Sequence, residues 1–378
     1  MTPTSTGLTS RERTLIALRG GQPDRVPIQL FGSQGYLPEM ETYGENYRKL
    51  TAYARQHADM QYAWREPLEQ CLAGMFTGVP LRRQIARENG VEVKTLLIET
   101  PKGIVSQISE SDSAMISELR LRKPFVETEA DFDKLMSLPR LPYRPGLDSY
   151  FRLRNTVGKT NLVTSYLLGP VTVAALYFRP TEFALWTLEQ KDKLHALLRK
   201  IYQNTDEFLD YLLANKAGEA FWFSGAEEVI PPLGPPSNFA EYITPYEKPL
   251  VDKIHNDGGL AILHCHGRVK NVISHMLATG YDVLQPLEAP PMGDITMAAA
   301  KRATCGKVCL IGNIQIGDLY RATPERIDQL CRETISQGMP GGGFILGTTA
   351  SHYSATMDDR TLANYIAYID AGRKYGRY

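Results

Sequence analysis

The sequence predicts a (β/α)8 barrel that carries a small antiparallel β insertion near residues 91–122. Two observations predict this fold: roughly eight short apolar runs alternate with helical patterns, and polar residues cluster directly after those runs, where such barrels build their sites. A length of 378 residues suits one large barrel. A doubly wound open sheet is the competing fold, but no glycine-rich dinucleotide fingerprint supports it. We therefore predict one domain over residues 1–378, with residues 1–9 disordered.

The elements follow in order from local patterns. A helix over 10–19 is predicted to be capped by Ser10 and stopped by Gly20-Gly21. Apolar residues from Leu194 to Leu212 recur at three- and four-residue spacing and form one helical face. Short runs on both sides of the turn at 101–103 predict the antiparallel insertion. The predicted barrel strands are centred on Ile28, Met60, Val163, Phe221, Ile262, Val283, Leu310 and Ile345.

Composition excludes several classes of protein. Lys plus Arg and Asp plus Glu both number 42, so the formal charge is zero and gives no reason to expect nucleic acid or an acidic membrane as a partner. The polar N-terminus lacks a signal-peptide pattern, and no apolar run is long enough to span a bilayer. The odd cysteine count argues against a disulfide framework. We expect a cytoplasmic protein. The cysteines are Cys71, Cys265, Cys305, Cys309 and Cys331.

One strand ends in a cluster of potential ligands. The apolar run Leu260–Leu263 is followed by His264, Cys265 and His266. Because successive strand side chains point to opposite faces, the two histidines share one face and Cys265 takes the other. Two imidazoles at a strand end form a candidate metal or acid/base site. The same pair could instead be hydrogen-bonded structure or could bind a substrate carboxylate.

Other candidate site residues also follow predicted strands. Glutamates there can act as ligands or acid/base groups, or can form salt bridges, and the amides can bind substrate or only line the barrel mouth. We expect Tyr36 and Trp222 to be walls of the substrate site, and Asp294 to cap the following helix. The remaining candidates are Glu227, Glu228, Glu288, Asn313, Gln315 and His352.

Several stretches together resemble the uroporphyrinogen decarboxylase superfamily over nearly the whole chain. These stretches are Arg11–Ile28, Tyr36–Glu39, His264–Gly267, Pro286–Glu288, Gly312–Ile314 and Gly341–Leu346. The resemblance implies the barrel fold and one of two activities. One branch decarboxylates uroporphyrinogen; the other holds zinc-dependent methyltransferases that act between corrinoid proteins, thiols and methylated substrates.

The motifs favour the methyltransferase branch. The decarboxylase signature carries two arginines that receive substrate carboxylates, and Phe31 and Gly35 stand at those positions here. Methyltransferases of the superfamily show His-x-Cys on the ligand strand and a later Cys; this chain has His266 and a position near Ala350 instead. The thiolate set is therefore not preserved. The resemblance then implies a zinc site built from imidazole and carboxylate groups. Its predicted ligands are His264, His266, Glu227 and His352, with Glu228 and Glu288 as catalytic groups.

The resemblance implies a metal-dependent methyltransferase that moves a methyl group from a small methylated donor to a corrinoid protein or a thiol acceptor. The cofactors expected are zinc and a corrinoid carried by a partner protein, and a homodimer is consistent with the superfamily. One alternative is a (de)carboxylase or lyase without metal, in which the histidines act as acid and base. Another is a protein that binds a corrinoid or tetrapyrrole without turnover.

Overall fold

The computed structural model describes residues 7–31, 42–65, 79, 81–111 and 119–378. Among them, the strands are β1 (Ile28–Gln29), β2 (Gln61–Trp64), β3 (Leu81–Glu88), β4 (Val91–Thr100), β5 (Gly103–Ser111), β6 (Leu119–Lys123), β7 (Leu162–Tyr166), β8 (Ala220–Ser224), β9 (Leu260–Cys265), β10 (Val283–Pro286), β11 (Cys309–Ile314) and β12 (Phe344–Thr348).

The helices of the same described residues are α1 (Ser10–Leu18), α2 (Glu45–His57), α3 (Glu129–Met136), α4 (Asp148–Val157), α5 (Pro170–Ala175), α6 (Pro180–Glu189), α7 (Lys191–Ala214), α8 (Thr244–Asn256), α9 (Ile273–Thr279), α10 (Met297–Thr304), α11 (Ile316–Arg321), α12 (Pro324–Gly338) and α13 (Asp359–Tyr375).

Eight parallel strands in the described part of the chain form a nearly closed barrel, in the order β1-β12-β11-β10-β9-β8-β7-β2. This confirms the predicted (β/α)8 barrel. The first and last strands of that order share no ladder, and the gap is bridged by Asp59 N–H donating to Ile28 O at 2.7 Å and by Gln29 Nε2 donating to Gln61 Oε1 at 2.9 Å. The closure of the barrel between β1 and β2 therefore depends on a few specific hydrogen bonds.

Strand alternation separates two apolar layers. Inward-facing residues such as Trp222 and Ile262 form one buried cluster, which Ala17 and Leu18 of α1 complete at the N-terminal end of the barrel. Outward-facing residues such as Leu263 belong to the larger cluster between strands and helices. His264 has the parity of Ile262, so its side chain enters the barrel interior above this apolar layer.

The antiparallel insertion is confirmed as a four-stranded sheet of the described residues, β3-β4-β5-β6, but it begins earlier than predicted. β3 starts at Leu81, and its side chains from Arg82 to Glu88 are all exposed. A strand exposed on both faces shows no alternation of apolar and polar residues, which is why the sequence pattern missed it. The last strand of the insertion was predicted over residues 115–119, of which 115–118 lie outside the described residues.

Some local expectations were wrong. Thr9, not Ser10, caps α1, because its side chain accepts a hydrogen bond from Glu12 N. Thr296 caps α10 through Ala299 N, whereas Asp294 accepts from Lys270 N and so does not cap that helix. The disorder predicted for residues 1–9 falls mostly outside the described residues. In the part that is described, no helix combines the length and apolar character that a membrane crossing needs.

Candidate functional site

The histidine pair lies at the C-terminal end of β9, inside the barrel. His264 is the partner of Ser224 in β8 and of Gln285 in β10 in the sheet register. His264 Nε2 and His266 Nε2 are 3.0 Å apart, and the two rings meet edge to face at 84°. The predicted sharing of one face by the two histidines is therefore confirmed.

In each ring, the nitrogen that does not face the other histidine, Nδ1, lies beside a hydrogen-bond acceptor. Gln285 Oε1 lies 3.2 Å from His264 Nδ1, and Glu288 Oε2 lies 3.2 Å from His266 Nδ1. With the proton of each neutral ring assigned to Nδ1 by this network, each Nε2 presents a lone pair. Two lone pairs that face each other at 3.0 Å repel, so this geometry requires a proton or a cation between them.

The pKa values of the two histidines diverge. Burial, reinforced by the charge on His266, lowers the pKa of His264 to about 3. Burial also opposes charge on His266, but the hydrogen bond and negative charge of Glu288, and then the charge of Glu227, outweigh it and raise the pKa of His266. When a proton occupies the pair it therefore resides on His266, and His264 accepts it as a hydrogen bond.

Two adjacent glutamates follow β8, and the first of them, Glu227, interacts with His266. The chain turns at Gly225, whose positive φ of 85° suits glycine, into a single 3-10 turn over Ala226–Val229. Burial raises the pKa of Glu227, and its Oε2 is buried without a hydrogen-bond partner in the described part of the chain. Burial and the neighbouring charge of Glu227 raise the pKa of Glu228 to about 7. Glu228 therefore has the pKa of a general acid at neutral pH.

Aromatic rings surround His264 inside the barrel. Phe31 stacks on the imidazole with ring centroids 4.7 Å apart and planes 8° apart. Trp222 lies 5.8 Å from Phe31 and 6.4 Å from Tyr166, centroid to centroid, with interplanar angles of 24° and 19°. Trp222 Nε1 is buried and has no partner among the described residues. The site thus joins aromatic rings to polar groups that no described part of the chain satisfies.

The predicted amides hold a loop beside the site. Asn313 Nδ2 donates to Leu287 O at 3.0 Å, and Gln315 Nε2 donates to Ala289 O at 3.3 Å. Both residues and Glu288 line a cavity of about 640 Å³. Contact of these amides with substrate stays a prediction.

His352 lies in a different environment from the histidine pair. It is 3% exposed, and its ring contacts Tyr47, Tyr320 and Tyr365. Burial lowers the pKa of His352 to about 3, and its Nε2 has no partner among the residues that the structure describes. The structure therefore brings together the two histidines with Glu227 and Glu288, and places His352 among tyrosines. Tyr36, predicted as a wall of the site, lies outside the described residues.

The family profile described as uroporphyrinogen decarboxylase (URO-D) matches residues 116–365, well over half of the chain. The chain belongs to the uroporphyrinogen decarboxylase family. A methyltransferase from Methanosarcina mazei has a similar fold, with a TM-score of 0.59 and 18% identity over 97% of this chain and 99% of that one. No curated protein sequence matches the chain.

A designed, cube-shaped and porous protein cage built from symmetric oligomeric domains matches more weakly. Its TM-score is 0.28 at 13% identity, over 60% of this chain and 58% of the other, and this likeness supports no argument. The similarity to the Methanosarcina protein supports the fold alone.

Cys265 has no place in the imidazole and carboxylate site that the resemblance implied. Cys265 is buried on the outer face of β9, where burial and the charges of three glutamates raise its pKa well above the ordinary value. Its Sγ contacts His266 O at 3.5 Å. A thiol in this environment is a poor source of thiolate.

The imidazole and carboxylate groups fit zinc in part. Two nitrogens bound to one tetrahedral zinc lie roughly 3.3 Å apart, close to the 3.0 Å between His264 Nε2 and His266 Nε2. The unpartnered Glu227 Oε2 is a buried oxygen that a cation would satisfy. Among the described residues, however, no group of three or more His, Cys, Asp or Glu side chains is placed so that it could hold a metal ion. The donor chemistry fits zinc, and the third ligand is not in position.

Sequence reasoning gave no role to Gln285, Tyr166 or the ring of Phe31. Gln285 could have been found, because it is the register partner of His264 on the next strand. Tyr166 shares the inward parity of Thr164 on β7 and is the last residue of that strand.

Proposed function

We propose that this protein is a methyltransferase that moves a methyl group from a small methylated donor to a corrinoid carried by a partner protein, or to a thiol. The observation that carries the proposal is the pair of Nε2 atoms 3.0 Å apart, each backed by an acceptor at Nδ1. Two neutral imidazoles held in this way are a ligand pair for zinc. The fold shared with the Methanosarcina methyltransferase is consistent with this activity.

The residues of the chain have separable roles in this proposal. His264 and His266 would hold the ion, and the carboxyl of Glu227 would have to shift to reach it as a third ligand. A bound zinc would supply Lewis-acid polarisation of the donor heteroatom. Glu288 and Gln285 orient the two rings through Nδ1, as carboxylates and amides do beside many metal ligands. Glu228, whose pKa is about 7, donates a proton to the demethylated leaving group.

The test is methyl transfer with the full chain. We expect a methylated donor to lose its methyl group in the presence of a reduced corrinoid protein or a thiol. We expect Glu228→Gln to slow this transfer while leaving the binding of the donor unchanged, since the variant keeps the shape and removes the proton. Glu333→Gln, on the exposed rim of the nearby cavity, is the matched control and should not change the rate. No transfer from any methylated donor with either acceptor would contradict the proposal.

A second candidate is a carboxy-lyase that needs no metal. The observation that favours it is the set of buried acid/base groups, in which Glu228 has a pKa of about 7 and the pKa of His266 is raised. The position of Phe31 weighs against it, because an arginine there would be needed to hold substrate carboxylates. Exhaustive chelation separates the two candidates: methyl transfer is expected to stop, and a metal-independent lyase reaction would continue.

A further inference from the structure

The backbone on both sides of Glu288 is held by side chains from the neighbouring strand. The carbonyl before it, Leu287 O, accepts a hydrogen bond from Asn313 Nδ2 at 3.0 Å. The carbonyl after it, Ala289 O, accepts from Gln315 Nε2 at 3.3 Å. Both donors lie at the end of β11, which pairs with β10 in the barrel. The position of Glu288 therefore depends on a segment that is distant in sequence.

Leu287 has a backbone conformation that needs such support. Its φ is 57°, in the left-handed region that residues with a side chain rarely adopt, and the residue is 2% exposed. A conformation of this kind persists only where the surrounding structure holds it. The hydrogen bond from Asn313 to Leu287 O is one such contact. A change of φ at Leu287 would redirect the chain that follows, beginning with Glu288.

Glu288 itself is tightly placed between the loop and the histidine pair. Its backbone oxygen accepts from Ile295 N at 3.2 Å, and a Cβ atom at Gly293 would lie only 2.2 Å from that oxygen. Its Oε2 accepts from Gly267 N at 3.4 Å and lies 3.2 Å from His266 Nδ1. A small shift of the loop would therefore be enough to lose the contact with His266.

The amide of Asn313 is oriented by a second side chain. Thr334 Oγ1, on α12, donates to Asn313 Oδ1 at 3.3 Å. Because the hydroxyl donates to the oxygen of the amide, this network assigns the nitrogen to the side of Leu287 O. Asn313 is 8% exposed, so these hydrogen bonds lie largely out of water, where an unmade hydrogen bond is costly.

We propose that Asn313 is a positioning residue that aims the carboxyl of Glu288 at His266 Nδ1, by holding Leu287 in its left-handed conformation. Thr334 in turn orients the amide of Asn313. The inference deepens the proposed function and rests on it for its consequence, because a carboxylate at Nδ1 fixes the ring that would bind zinc. In this role Asn313 acts through Glu288 and touches neither the ion nor the methyl donor.

The first experiment is a crystal structure of the metal-free, full-length Asn313→Asp variant. Aspartate keeps the shape of the side chain but places an acceptor opposite Leu287 O, where two oxygens repel. We expect Glu288 Oε2 to move more than about 3.5 Å from His266 Nδ1, beyond hydrogen-bond distance. A variant that keeps the contact at the wild-type distance would overturn the proposal.

The matched control is Asn364→Asp on α13. Asn364 is fully buried, and its Nδ2 donates to Leu319 O at 3.0 Å and to Ala322 O at 2.9 Å. This variant makes the same chemical change at a second buried asparagine that holds two carbonyls. We expect it to lower the free energy of unfolding but to keep the contact between Glu288 and His266. Loss of that contact in the control as well would show a general structural effect and would overturn the role of Asn313.

A milder variant covers the case in which Asn313→Asp does not fold. Thr334→Val keeps the branched shape of the side chain and removes the hydroxyl that donates to Asn313 Oδ1. We expect a smaller displacement of Glu288 in the same direction. An unchanged Glu288 together with a rotated Asn313 amide would contradict the coupling between the two residues.

The second experiment measures zinc affinity by competition with a chelator. We expect Asn313→Asp to bind zinc roughly three- to tenfold more weakly than the wild type, a smaller loss than that of a direct partner of a ligand. The double variant Asn313→Asp/Glu288→Gln should bind no more weakly than Glu288→Gln alone, because Asn313 acts through Glu288. Additive losses in the double variant would contradict this order of action, and the control Asn364→Asp should bind as the wild type does.

The positioning role and the proposed function fail in different ways. A wild-type protein that binds no zinc would sink the proposed function, and the crystal structures of the variants would still decide whether Asn313 places Glu288. Weaker binding of the methyl donor to Asn313→Asp, with the contact between Glu288 and His266 intact, would make Asn313 a substrate contact and would overturn the positioning role.

Discussion

At the N-terminal end of the barrel, the side chain of Asp59 is 1% exposed and accepts hydrogen bonds from Arg13 at 2.7 Å, from Arg25 at 2.5 Å and from Ile28 N at 3.0 Å. At the C-terminal end, Oε2 of Glu227 is also buried, but no described residue gives it a hydrogen bond. Both ends bury carboxyl groups; among the described residues, Asp59 is fully satisfied, whereas Glu227 at the C-terminal end keeps one oxygen without a partner. This contrast matches the division of barrel enzymes into a stability end and a chemical end.

Asp59→Ala is expected to cause the largest loss of stability, about 3–5 kcal/mol, because it removes a buried ion-pair partner from Arg13 and Arg25. It also leaves Ile28 N–H without its acceptor at the point where the barrel closes. The measurement is urea-induced unfolding. Lys248→Ala is the control, because its pair with Asp252 is exposed and should contribute about 0–1 kcal/mol. A similar loss of unfolding free energy in the two variants would contradict the expected difference between buried and exposed ion pairs.

A buried carboxyl on the outer face of the barrel predicts a dependence of stability on pH. Glu247 is 1% exposed and accepts a hydrogen bond from Tyr281, and burial, only partly opposed by that hydrogen bond, raises its pKa from 4.5 to about 8. The folded state therefore favours the protonated carboxyl. Its stabilising contribution is complete below pH 4.5 and is lost, by a few kcal/mol, as the pH rises towards 8.

Glu247→Gln tests this dependence, because glutamine stays neutral and keeps an acceptor for Tyr281. Between pH 5 and pH 8 we expect the free energy of unfolding of the variant to fall less than that of the wild type. Glu129→Gln, at an exposed position, should follow the wild-type curve. Parallel curves for wild type and Glu247→Gln would show that Glu247 does not hold its proton.

At the C-terminal end, Glu288→Gln should affect metal binding more than stability. The variant removes the negative charge at His266 Nδ1 and is expected to weaken zinc affinity by about 10- to 100-fold. The free energy of unfolding of the metal-free protein should change by no more than about 1 kcal/mol. Competition with a zinc chelator measures the affinity. Unchanged affinity would mean that Glu288 does not act on a metal ligand.

The smallest expected effect concerns the first helix. Thr9→Ala removes the side chain that accepts from Glu12 N, and this loss should cost about 1 kcal/mol. Ser10→Ala is the matched control, because Ser10 Oγ is buried without a hydrogen-bond partner and the change removes no hydrogen bond. If Ser10→Ala lowered the free energy of unfolding more than Thr9→Ala did, Ser10 rather than Thr9 would be the cap, as the sequence pattern predicted.

The barrel and the histidine pair were predictable because their signals are local. An apolar run followed by His264 and His266 determines both the strand and the face that the histidines share. The exposed strand β3 was not predictable in this way, since neither of its faces packs on a core.

The partners of the pair depend on contacts between distant segments. Gln285 meets His264 only through the register of two parallel strands. The place of His352 depends on how the chain runs after β12, where rings from α2, α11 and α13 surround it. Sequence patterns contain neither kind of contact. The strand ends could therefore be predicted, but not which side chains meet there.

The most direct test of the central claim is the zinc content of protein purified without an affinity tag, beside the double variant His264→Ala/His266→Ala. We expect about one zinc per chain in the wild type and none in the double variant. The control is His57→Ala/His275→Ala, which changes two histidines on helices α2 and α9 and should keep the zinc. A folded wild-type protein without zinc, or a double variant that retains it, would contradict a metal centre on the histidine pair.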